Sequence, residues 1–225
     1  MTEETFEFKA STRKNLIIFI GVGLLLTVLG IVLLNTGGHH DAHAAEGGHG
    51  FHWIKRVYAN LWIDSVFFTG LALIGVLFFA IQYAAQAGWS AGIKRIPLAF
   101  GAWIPIGGVI MFALYWIAGH DLFHWTHHSL YDPSSSDYDK IIDGKGGFFY
   151  WPLENGTFPA FFLIRMVLFF TIWYMLFNKI KTLAYQEDIE GGTAKWYEIR
   201  KFSTFFIIFF AVSSSISAWD WIMSI

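Results

Sequence analysis

The sequence predicts an all-α fold: a polytopic bundle with five membrane-spanning helices. Three observations predict it. Hydrophobic residues make up 55% of the 225-residue chain and charged residues only 14%, against roughly 25% charged in an ordinary soluble protein. The apolar residues gather into five stretches, each long enough to cross about 30 Å of hydrocarbon at 1.5 Å of rise per residue. All the Lys and Arg residues except Arg165 fall outside those stretches. A soluble fold of this composition would expose large adhesive patches, whereas lipid solvates them. The formal net charge of −2 offers little to nucleic acid or to a strongly charged ligand.

Residues 1–15 are polar and of mixed charge, and they predict a cytoplasmic N-terminal segment. The remainder, residues 16–225, is the predicted bundle. Leu16 to Leu34 runs 19 residues without a charge. A signal peptide is the competing reading, because Ala42-His43-Ala44 is similar to a cleavage site. The apolar run nevertheless exceeds the 7–15 residues of a signal core, and the alanines lie far downstream. A retained span is expected, followed by a Gly/His-rich loop over residues 36–52.

The second span is expected within Asn60 to Ala87. Ala80, Ala84 and Gly88 recur every four residues there, a stripe that admits a neighbouring helix closely. The third, Ile96 to Gly119, holds Pro105 beside Gly101, Gly107 and Gly108, so a kink is expected. A polar outer loop follows over residues 120–157. The fourth span, Phe158 to Phe177, contains Arg165, and Tyr150, Trp151, Trp173 and Tyr174 bracket it as an interfacial belt would. The fifth begins at Phe202 and is still apolar at Ile225, so the chain is expected to continue.

Loop charges set the expected orientation. Lys9, Arg13, Lys14, Lys94, Arg95, Lys179, Lys181, Lys195, Arg200 and Lys201 fall on one side, against Lys55, Arg56, Lys140 and Lys145 on the other. The excess places the N-terminus in the cytoplasm.

Charges in a bilayer are costly and are functional candidates by default. Asp64, Arg165 and Asp220 all fall towards the outer half of their predicted spans, and His120 and Asp121 end the third span on that side. Together they form a candidate proton path or quinone-pocket wall. The alternative is structural: Arg165 snorkels to headgroups or pairs with Asp64 or Asp220 to hold helices together. If the third helix continues, His120, His124, His127 and His128 share one face, which suits proton exchange, a divalent metal, or a helix packed on a partner. His39, His40, His43, His49 and His52 in the first loop suit loose metal binding or a loop lying over other subunits. Ser213, Ser214, Ser215 and Ser217 either bond back to their own helix and its neighbour or form a hydrated seam leading to Asp220. No metal site is assigned, and no histidine lies inside a predicted span to ligate haem b.

Cysteine is absent. That excludes disulfides, thiolate zinc sites, thiolate-ligated iron–sulfur clusters and covalent c-type haem attachment. If the protein takes part in electron transfer, other chains must hold those centres.

Three stretches carry a family resemblance: Asn60-Leu61-Trp62-Ile63-Asp64-Ser65-Val66-Phe67-Phe68; Phe79-Ala80-Ile81-Gln82-Tyr83 leading through Ala87-Gly88-Trp89 to Lys94-Arg95-Ile96-Pro97; and Ser217-Ala218-Trp219-Asp220-Trp221-Ile222-Met223-Ser224-Ile225. Over about residues 50–225 the chain resembles the F subunit of bacterial alternative complex III, a quinol:cytochrome c oxidoreductase, and hence the polysulfide-reductase-type membrane subunits. The resemblance implies a bacterial cytoplasmic-membrane protein whose five spans form the N-terminal half of a ten-span subunit. It implies partners: a homologous C subunit, c-type cytochrome subunits, an iron–sulfur subunit and, in some assemblies, a terminal oxidase. Haem c and iron–sulfur clusters would sit in those partners and no cofactor in this chain, with quinone as a candidate ligand. It links the F subunit to assembly and proton translocation rather than to catalysis. The alternatives are a directly quinol-binding subunit, with Trp116, His120 and His124 as the pocket and His120 or Asp121 as proton acceptor, and an independent secondary transporter using Asp64, Arg165 and Asp220.

Overall fold

In the computed structural model, residues 9–36 and 53–225 are described, and among them every regular element is helical. Five helices are long and apolar enough to cross a membrane, as expected for a multi-pass membrane protein. The chain divides into two units, Met1–Arg56 and Val57–Ile225.

The first unit is built on α1, Ala10–Thr36. It starts earlier than the apolar run, taking in Arg13 and Lys14, because nothing from Ser11 to Asn15 breaks a helix. From Ala10 to Leu29 every residue is exposed. The histidines of the first loop lie outside the described residues.

The second unit carries four spans. α2 is Trp53–Ala84. The third span is interrupted: α3, Arg95–Phe100, passes through a single 3₁₀ turn at Gly101–Trp103 into α4, Ile104–Leu122, with Pro105 in its first turn. The irregularity expected around Pro105 takes the form of this 3₁₀ turn. Proline is tolerated because the N–H groups of a helix's first turn have no intrahelical acceptor, so the one it lacks is not missed. α5, Lys140–Lys145, and α6, Gly147–Tyr150, are short helices in the outer loop. α7, Ala160–Glu190, runs antiparallel into α8, Ala194–Trp221, through Gly191 and Gly192. Both glycines have positive φ, 66° and 75°, which side-chain-bearing residues rarely adopt. The expected loop after Phe177 is therefore mostly helix. Its lysines and glutamates lower hydropathy, but they are good helix formers.

Lipid offers no hydrophobic drive between helices, so close van der Waals contact and polar bonds hold the bundle together. Trp62, Phe79, Phe123, Phe162, Trp173, Phe177 and Phe206 are almost fully buried. Glycines let the spans meet where these rings crowd. A Cβ on Gly101 would strike Phe177 and Val76, and one on Gly108 would strike Phe170. Gly88 lies beyond the end of α2 in open space, so the small-residue stripe stops short of it.

The outer loop is folded. Tyr131 and Tyr150 both donate to the Trp125 carbonyl, at 2.8 and 2.9 Å, and the Trp125 and Phe149 rings stack 4.1 Å apart. Asp139 caps α5 through the amides of Ile141 and Ile142. Burial raises the pKa of both tyrosines. The interfacial belt needs correction: Tyr150 and Trp173 are core residues, while Trp151 and Tyr174 remain exposed.

Candidate functional site

α7 buries Phe162, Met166, Phe169, Trp173, Phe177, Ile180 and Ala184, a 3–4 spacing that follows one face. Arg165 lies beside that stripe, 7% exposed. α8 buries Ile199, Ser203, Phe206, Ser213, Ser217 and Asp220 at the same spacing. The two stripes face each other along antiparallel helices. The polar end of the α8 stripe thereby meets Arg165, the one arginine buried among the described residues.

The guanidinium of Arg165 holds Asp220 by both oxygens: Nε donates to Oδ2 at 2.8 Å and Nη2 to Oδ1 at 2.6 Å. Nη1 donates to the Phe148 carbonyl at 2.7 Å. The Phe148 and Phe161 rings lie 4.1 and 4.4 Å from the guanidinium carbon. The Asp220 side chain is 1% exposed. Such a fork is a strong, oriented ion pair, and the aromatic faces add cation–π attraction. Arginine's planar head suits this place because all three of its nitrogens donate. The sequence signal for Arg165 and Asp220 was a charge inside an apolar span. Nothing in the pattern pointed to Phe148, which the folded outer loop delivers.

Asp64 does not join them. It is exposed on α2, and no hydrogen bond or ion pair links it to the described residues. The expected three-residue cluster is therefore a pair plus a separate carboxylate. The reason is helix rotation: Trp62 is fully buried and its indole donates to the Trp221 carbonyl at 2.9 Å. Two residues at about 100° each turn Asp64 to the opposite side of α2.

The serines split. Ser213 accepts from the Trp173 indole at 2.9 Å and donates to the Phe209 carbonyl at 2.7 Å, bonding both to its own helix and to its neighbour. Ser215 bonds back to Ala211, and Ser214 is half-buried. Ser217 Oγ and Trp221 Nε1 are buried without a hydrogen-bond partner. The Trp221 ring stacks on Phe170, with centroids 5.4 Å apart.

The histidine face also needs correction. α4 stops at Leu122 because Phe123 adopts an extended backbone, and single 3₁₀ turns follow at His124–Thr126 and His128–Leu130. The rings of His120 and His127 still approach, centroids 4.2 Å apart, and His124 lies 5.6 Å from His127. His127 is bonded to the His124 carbonyl and His120 to Thr126. His128 and Asp121 are exposed. Among the described residues no group of three or more His, Asp or Glu could hold a metal ion.

Trp116, exposed on α4, lines an apolar groove between α4 and α7 with Phe112, Phe158, Leu163, Val167 and Leu168, about 620 Å³ in volume. A second hollow of about 440 Å³ continues along the same helices past Pro105, Gly108, Met166 and Phe170. His120 and His124 do not line either one.

At the opposite end of the bundle lies an ionic cluster that hydropathy concealed. Lys94 Nζ donates to Tyr83 Oη at 2.5 Å and to Glu187 Oε2 at 3.2 Å, and Tyr83 also donates to Glu187. Arg95 pairs with Asp188 and donates to the Ala184 carbonyl at 2.9 Å. Lys94 and Arg95 read as topological charges in the sequence, yet they clamp the short connection after α2 onto the end of α7. Among known proteins, no family model matches this chain and no curated protein matches it.

Proposed function

We propose that this chain is a non-catalytic membrane subunit of a respiratory quinol:cytochrome c oxidoreductase of the alternative complex III type, acting in assembly. The observation that carries the structural role is the Arg165–Asp220 fork, which joins α7, α8 and the outer loop inside the bundle. A carboxylate committed at both oxygens to a guanidinium is placed to tie helices together rather than to pass protons. The resemblance of residues 50–225 to the F subunit supports the respiratory assignment, and the absence of cysteine leaves c-type haem and iron–sulfur clusters to partners. Proton translocation, with Asp64, His120 and Asp121 as the candidates outside the pair, belongs to the same reading. So do a bacterial cytoplasmic membrane and a cytoplasmic N-terminus.

A tagged chain purified from its native membrane in mild detergent tests this. Co-purification of c-type haem, seen in the reduced absorption spectrum, and of quinol:cytochrome c reductase activity is expected. A chain that purifies alone, without haem, would overturn the assignment and favour an independent carrier.

A second reading has one observation in its favour. The groove along α4 and α7, walled by Trp116 and Phe158, suits an isoprenoid tail. Photo-labelling with an azidoquinone would mark this groove if the chain binds quinol directly.

A further inference from the structure

We infer that the α2 face bearing Asn60 and Asp64 is the seat of a transmembrane helix from another protein chain, one that sets a cationic side chain against the Asp64 carboxylate. Asn60, Asp64, Phe67 and Leu71 follow one another at i, i+4, i+7 and i+11, and all four are exposed. At that spacing they share one side of a helix. The side is held outward because the opposite side is anchored: Trp62, Thr69, Ala72, Leu73 and Val76 are buried, and Trp62 is bonded to α8. Turning Asp64 inward would pull Trp62 out.

The contrast with Asp220 identifies the occupant. The fold supplies Asp220 with an arginine; it supplies Asp64 with nothing among the described residues. About 12 Å of helix separate Asp64 from Arg56 in the first turns of α2, and a side chain with one methylene cannot reach water by snorkelling as lysine or arginine does. A carboxylate facing acyl chains is one of the least favourable placements in a membrane, and such residues pair with one another or with other polar groups. Lipid tails offer no donor. A neighbouring helix bearing Lys, Arg or His does, and Asn60, one turn away, adds a second polar contact that helix–helix interfaces in lipid use.

This inference rests on the reading of the chain as part of a membrane assembly. Its test replaces Phe67, 63% exposed and one turn from Asp64, by photoreactive p-benzoylphenylalanine in the tagged full-length chain in its native membrane. Irradiation is expected to join position 67 to a transmembrane peptide of another protein that carries Lys, Arg or His within one helical turn of the link. Asp64→Lys is expected to lower recovery of that partner at least tenfold, and Asp64→Asn less, with the chain itself still at its normal level in the membrane. Changing the partner's cation to Glu in the Asp64→Lys background is expected to restore recovery. Links only to lipid, only within this chain or only to a second copy of it overturn the inference. So does full partner recovery with Asp64→Lys. Retained partners with none linked from position 67 end this inference alone, whereas a tagged chain that purifies with no partner ends the assembly reading itself.

Discussion

Arg165 and Asp220, 55 residues apart in sequence, meet as a two-bonded ion pair at 2.6 and 2.8 Å inside the bundle. The pair is a liability if broken, because either charge left alone would be buried among aromatic rings. Among the described residues no other charged side chain is bonded to the pair, and the remaining bond of Arg165 goes to a backbone carbonyl.

Breaking the pair should therefore cost more than removing it. Asp220→Asn and Arg165→Met are each expected to destabilise the bundle by about 3–5 kcal/mol, and the double substitution Arg165→Met/Asp220→Leu to recover most of that loss. Survival of the purified protein through a graded heat step, followed by size-exclusion chromatography, reads the order. Equal losses for the single and double variants would remove the pair from the account of stability.

The two buried serines should separate. Ser213→Ala deprives the Trp173 indole of its acceptor, an unsatisfied buried donor costing about 1–3 kcal/mol. Ser217 has no hydrogen-bond partner, so Ser217→Ala should change thermal stability little. A loss at Ser217 as large as that at Ser213 would favour a hydrated seam beside Asp220.

Glycine at position 101 is required by space. Gly101→Ala pushes a methyl into the Phe177 ring and should cost about 1–3 kcal/mol through overpacking. Gly88→Ala, with nothing within 4 Å, is the control and should melt as the parent does.

The outer loop should loosen at alkaline pH. Burial raises the pKa of Tyr150 above its ordinary value of 10.0, and that of Tyr131 likewise. A group whose proton is held more tightly in the folded state contributes stability that is complete below pH 10 and is lost as the pH rises through the folded pKa. Tyrosinate absorbance near 295 nm should show a late-titrating component that shrinks by one tyrosine in Tyr150→Phe. Ionisation of Tyr150 at its ordinary pKa would contradict the buried contact with the Trp125 carbonyl.

Much of the architecture was legible because hydropathy and helix length are local. Each predicted span corresponds to a helix or helix pair, and Pro105 marks the break in the third. The misplacements have physical causes. Trp173 passes for an interfacial tryptophan because its ring suits either a headgroup layer or a core; Ser213 supplies the hydrogen bond that admits it to the core. The histidines pass for a helical face until Phe123 turns extended. Lys94, Arg95, Glu187 and Asp188 pass for loop charges because hydropathy cannot see that they pair.

By itself the sequence determined that the chain is all-helical, crosses a membrane repeatedly and carries few ionisable groups within its spans. Only the tertiary structure decided which of those groups meet. Periodicity places Asp64, Arg165 and Asp220 on faces of their own helices, but the rotation of each helix about its axis is set by packing. Trp62 turns α2 so that Asp64 faces outward, and the antiparallel contact of α7 with α8 brings Arg165 to Asp220.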